Sequence, residues 1–124
     1  METLETQLTD LEREQYAQKA AELAKECGVP KVYVSVQINR DNGNERIVSY
    51  IKEPNYMTKL HLMDKATALG SHQAGDEFRE MCQIKEHSHP LTHSDHPDAD
   101  KYKLGVVQRC LEIITMVLDE FKKK

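Results

Sequence analysis

The sequence predicts an α+β chain with elements in the order α-β-β-α-α-α: an antiparallel β-hairpin packed against helices and closed by a long C-terminal helix. Three observations predict it. Two β-branched runs flank a turn-forming stretch, helix-forming segments stand on both sides of that pair, and the last 25 residues carry apolar residues at three- and four-residue spacing. A length of 124 residues supports one domain, 1–124, with a single modest core.

The first helix is predicted from Asp10 to Cys27. Thr9 and Glu12 stand at capping-box spacing, Gly28 supplies the stop and Pro30 prevents continuation. Tyr16, Ala20, Leu23, Ala24 and Cys27 share a face that should pack on the sheet. Upstream, Leu4, Leu8 and Leu11 continue the apolar spacing into residues 1–9, which read either as a frayed tail or as a partner-binding arm.

The clearest strand is Lys31 to Ile38, where Val32, Val34, Val36 and Ile38 alternate with more polar residues. Asp41-Asn42-Gly43-Asn44 then favours a reversal, and Arg46 to Ile51 supplies the second strand. An isolated hairpin is marginal in water, so helices must cover it or a second subunit must extend it.

Pro54 ends the hairpin and Asn55 caps a helix from Tyr56 to Leu69, with Met57, Leu60 and Met63 assigned to its inner face. A further helix from Ala74 to Ile84 is expected to bury Phe78, Met81 and Cys82. Residues 85–97 form a histidine-rich loop, after which Asp95 or His96 caps the final helix and Pro97 occupies its first turn. Leu104, Val107, Leu111, Ile114, Leu118 and Phe121 make its expected core stripe. Val106, Cys110, Ile113 and Val117 make a second stripe alongside, and so broad an apolar face fits either a central helix or one that meets another chain.

Composition narrows the function. A formal net charge of −4 argues against a nucleic-acid surface. The absence of a long apolar run argues against a membrane span, and the acidic start lacks the pattern of a secretory signal, so a cytoplasmic location is expected. Three widely spaced cysteines, Cys27, Cys82 and Cys110, read as reduced thiols rather than a disulfide framework.

Four of the six histidines, His87, His89, His93 and His96, fall in one short stretch with Cys82 just upstream. Imidazole and thiolate are zinc donors, so these five residues are the candidate metal ligands, with zinc as the alternative cofactor. Their spacing matches no paired-ligand pattern, and Pro90 keeps His89 and His93 off a common helical face. The larger expectation is a solvated loop. Ser94, Asp95 and His96 are adjacent and cannot form a hydrolase triad, no phosphate loop surrounds Gly70 and Gly75, and no catalytic group is assigned. The chain reads as noncatalytic.

From Val32 to Cys82 the order of features resembles small phage proteins of the tail-assembly-chaperone or tail-accessory kind. The resemblance rests on two strands, the element Tyr50-Ile51-Lys52-Glu53-Pro54, an amphipathic helix from Asn55-Tyr56-Met57, and the acidic Gly75-Asp76-Glu77. It implies an assembly protein that binds virion or tail components in the host cytoplasm. On that reading the partner surfaces are the Leu4-Leu8-Leu11 stripe, the hairpin edge, and Val106, Ile113 and Val117 on the last helix, serving a homo-oligomer or a phage structural partner.

Overall fold

The computed structural model describes the backbone of residues 8–122 and the side-chain surroundings of residues 8–116. Four helices and a two-stranded antiparallel sheet follow in the expected order: α1 (Asp10–Cys27), β1 (Val32–Asn39), β2 (Glu45–Lys52), α2 (Tyr56–Leu69), α3 (Ser71–Cys82) and α4 (Asp100–Lys122). Thr9 and Glu12 form the capping box of α1, and Gly28, at φ 68°, ends it in the left-handed region that an L side chain disfavours. The hairpin keeps strict register, with Val32 opposite Lys52 and Asn39 opposite Glu45.

Both faces of the hairpin are covered. Val32, Val34, Val48 and Tyr50 pack beneath α1 with Ala20, Leu23, Ala24 and Ile84. The opposite face sets Tyr33 and Ile51 against Phe78 and Cys82 of α3 and Val106, Cys110 and Ile113 of α4, with Leu62 of α2 at the margin. The polar side chains that alternate with the valines therefore meet a helical layer too. Ser35 and Ser49 are buried there, and Gln37 Nε2 donates to the Tyr102 carbonyl at 2.8 Å.

Two glycines set how closely α4 approaches its neighbours. A Cβ at Gly75 would meet Leu111 and Val107 at 3.1 Å, and one at Gly105 would enter the space of the Gln37 amide. These contacts fix the rotation of α4 and bring the second stripe to the centre of the core, while of the expected core stripe Val107 is buried and Ile114 packs at the margin. Val106 and Ile113 are 0% exposed and form the centre of the core, whereas Leu104 is 62% exposed. Val106 and Ile113 are therefore not available as a partner surface. Val117, Leu118 and Phe121 lie outside the residues whose side chains are described, as does Leu4.

Other assignments shift for the same reason. α2 buries Leu62, not Met57 or Leu60, which are exposed. α3 begins three residues earlier than expected and buries Ala74, Phe78 and Cys82, leaving Met81 exposed. Cys27 is exposed rather than part of the inner face of α1.

Candidate functional site

The histidine stretch is solvated in part and tied into the molecule in part. It folds as three short 3₁₀ turns, Lys85–His87, Pro90–Thr92 and Pro97–Ala99, each too brief to hold all four imidazoles on one face. His87 and His96 are exposed, while His89 and His93 are half-buried. His89 Nδ1 accepts from the Leu91 N–H at 3.1 Å, so Nε2 is the nitrogen that faces the Glu45 carboxylate at 2.8 Å. His96 Nδ1 accepts from the Asp98 N–H and caps the Pro97 turn that leads into α4. Cys82 instead belongs to the core beneath β1 and β2. Among the described residues no three His, Cys, Asp or Glu side chains converge as a metal-holding group, so the five candidate ligands do not assemble.

A buried chain of hydroxyl and amide groups welds this stretch to β2. Gln83 Nε2 donates to Ser49 Oγ at 2.9 Å and to Thr92 Oγ1 at 2.7 Å. Thr92 Oγ1 in turn donates to the His89 carbonyl, and Ser88 Oγ donates to the Ile84 carbonyl while accepting the Tyr50 N–H. Backbone bonds run alongside, from Ile84 N–H to the Tyr50 carbonyl at 2.8 Å and from His89 N–H to the Val48 carbonyl at 2.7 Å. Both hydroxyls hand their protons to main-chain carbonyls. That arrangement orders backbone and leaves neither oxygen activated as a nucleophile.

The remaining chemistry-bearing groups are similarly quiet. Burial pushes the Cys82 thiol up to about 11 and the Cys110 thiol up to about 12, so both stay protonated and unreactive near neutrality. Arg46 holds the Glu12 carboxyl below its usual range, His89 and Asn42 do so for Glu45, and Lys65 and His61 do so for Glu77. These pairs tie elements together at the surface, with Arg46 Nε 2.9 Å from Glu12 Oε2 and Lys65 Nζ 2.9 Å from Glu77 Oε2.

What stands open is the other edge of the hairpin. The bond from Glu53 N–H to the Lys31 carbonyl fixes the phase of the ladder: odd-numbered residues of β1 bond to β2, and Val32, Val34, Val36 and Ile38 turn their N–H and C=O groups outward. Among the described residues no strand or bridge pairs with that edge; the sheet has two strands, and the isolated bridge, Ile51 to Gln83, lies on the β2 side. The first half of that edge, Lys31 to Val34, forms the floor of a groove of about 500 Å³. Ala17, Ala21 and Ala24 of α1 make one wall, and Arg109 and Met116 of α4 make the other.

The groove is apolar in its walls and cationic at its rim. Lys31 Nζ and the Arg109 guanidinium lie 4.7 and 5.8 Å from the centroid of the Tyr33 ring. Arg109 Nε donates to the outward Val34 carbonyl at 3.1 Å, and its Nη1 donates to Glu112 Oε2 at 3.2 Å. A charged side chain laid over an edge in this way guards it against indiscriminate pairing. The expected hairpin edge is thus present, but Arg109, Met116 and the alanine wall were not read from sequence. Alanine at positions 17, 20, 21 and 24 of one helix was the available signal, since four small residues on neighbouring turns leave room for another backbone.

Of the remaining expected partner residues, Leu8 is half-buried and Leu11 is 64% exposed near the start of α1. No helix among the described residues is long and apolar enough to cross a membrane. Comparison with protein-family models, curated protein sequences and solved structures gives no match for this chain.

Proposed function

We propose that this chain is a noncatalytic assembly or interaction protein that engages its partner by strand addition at β1. The observation that carries the reading is the outward edge of β1 lying in an apolar groove between α1 and α4. Extended segments bind such edges through main-chain hydrogen bonds, and the groove walls select their side chains. The resemblance to phage tail-assembly proteins supplies the class of partner, a virion or tail component met during assembly.

The test uses one substitution that alters the edge without touching the ladder. Val36 turns its N–H away from β2, so Val36→Pro removes a donor from the outer edge just beyond the groove floor while Gln37 and Ser35 keep their bonds to β2. Immobilised wild-type chain should retain a tail structural protein from an extract of infected cells, and Val36→Pro should lose it. Retention that is indifferent to Val36→Pro would move the partner surface away from β1. Elemental analysis of untagged protein, purified without a metal column, addresses the zinc alternative, because stoichiometric metal would require the histidine stretch to rearrange.

A further inference from the structure

The occupant of the β1 groove follows from chain direction and handedness. We propose that residues 1–7 of a second copy of this chain fill it, so that two copies exchange N-terminal arms. This rests on the strand-addition reading above and gives the groove to a second copy, which a virion or tail component would have to displace.

The segment fits in length. Seven extended residues reach about 24 Å, enough to cover the four residues of the edge, Lys31 to Val34, that floor the groove and span about 13 Å. It also fits in pattern. Leu4 and Glu5 are adjacent, so on a strand they point to opposite faces. Leu4 then meets the wall of Ala17, Ala21 and Ala24, and Glu5 meets Arg109 on the opposite wall. Glu5 brings negative charge to a rim carrying Lys31 and Arg109, and the exposed Leu11 gains a neighbour where the arm crosses between copies.

Handedness is what makes the partner a second copy. α1 runs antiparallel to β1 and begins beside Arg46, which stands opposite Ile38. Residues 1–7 leaving that point along the edge of their own β1 can only run parallel to it. The outward residues Val32 and Val34 carry their side chains toward α1. For L residues, a side chain that faces the viewer from an upward strand has its own N–H and C=O on the right. With α1 in front, the open edge therefore lies to the right of β1. A strand placed there, followed by α1 in front and then by β1 on its left, is a left-handed crossover. About 98% of such connections are right-handed. The same segment arriving from another molecule is not bound by that rule and can pair in either direction.

Analytical ultracentrifugation of the full chain tests this. A dimer is expected at concentrations of about 100 μM, and deletion of residues 1–7 or Val36→Pro should weaken it at least about tenfold, equivalent to about 1.4 kcal/mol. Glu5→Arg should weaken it as well, and combining it with Arg109→Glu should restore part of the loss. Should the deletion impair folding, the full-length Glu5→Arg and Val36→Pro chains still decide the matter. A full chain that stays monomeric at about 1 mM, or a dimer indifferent to the deletion and to Val36→Pro, overturns arm exchange. If the chain is monomeric yet Val36→Pro abolishes retention of a tail protein, arm exchange falls while strand addition stands. If retention is also indifferent, both fall.

Discussion

The hairpin has two outer edges, and the molecule treats them in opposite ways. The β2 edge is sealed by residues 83–89, whose backbone and hydroxyl groups bond to Val48 and Tyr50 and whose side chains join a buried polar chain reaching Thr92. The β1 edge faces a groove, with Arg109 laid across one carbonyl. Two strands of the same length in the same register thus differ in how far the described chain covers their outer hydrogen-bonding groups. The difference teaches that the two edges are closed unequally: the chain itself covers the β2 edge, whereas among the described residues no strand pairs with the outer edge of β1.

Proline at matched positions breaks the comparison most sharply, starting with the sealed side. Val36 and Val48 are directly opposed, and both turn their amide groups out of the hairpin. Val48→Pro puts a ring against the segment whose His89 N–H binds the Val48 carbonyl at 2.7 Å. The expected loss is about 3 kcal/mol or more, read as a fall in the urea midpoint. Exposure of the 83–89 amides in hydrogen exchange should accompany it. A Val48→Pro chain with wild-type stability would show that the seal contributes nothing.

Gly105→Ala acts on the helix that walls the open groove. Its methyl group would enter the space of the Gln37 amide, which is held in place by its bond to the Tyr102 carbonyl. Overpacking of this kind costs about 1–3 kcal/mol. Gln37→Ala in the same chain should recover part of that loss, and a double-mutant cycle measures how much. Additive losses in the two variants would show that the amide does not set the spacing of α4 from β1.

These two positions also show what sequence could and could not reveal. Period-two alternation is local, so Val32 to Ile38 announced a strand without reference to anything else, and Thr9, Glu12 and Gly28 marked the ends of α1 in the same way. Which stripe of α4 turns inward is a tertiary matter. Both stripes are apolar, and the choice rests on Gly75 and Gly105, which gain meaning only against Leu111 and Gln37. The partial burial of His89 and His93 was not legible for a related reason. The fate of the histidine stretch is set by Ser88, Thr92 and Gln83, ordinary polar residues whose partner Ser49 lies 34 and 39 positions from Gln83 and Ser88. The edge that carries the proposed function was legible as a strand, but its groove was not, because the walls come from the two ends of the chain.

Acid should loosen the surface ties that steady both sides of the hairpin. Glu12 joins α1 to Arg46, and Glu45 joins the start of β2 to His89; both carboxyls titrate below the ordinary value of 4.5 in the folded chain. The unfolded chain then binds more protons as pH falls through this region. Stability from these groups is fully present above about pH 4.5 and is lost as pH drops through their lowered folded values. Melting temperature should therefore change little in this respect from pH 7 to 5 and decline below 4.5. Glu12→Gln and Glu45→Gln should each flatten that decline, and an unchanged acid limb would remove the two pairs from the account.

The smallest stability effect is expected from Val36→Pro, and its smallness is informative. The substituted N–H points away from β2, so no bond of the ladder is removed. What is lost is a half-buried valine and some freedom in φ, together about 1 kcal/mol. Measured by urea titration at a concentration where the chain is monomeric, Val36→Pro should fall well short of Val48→Pro. At concentrations where copies associate, the gap should narrow, because only wild-type β1 is then stabilised by an added strand. A concentration-independent gap would mean that the open edge stays open, whereas a gap that closes as copies associate ties the second strand's worth of hydrogen bonds to β1.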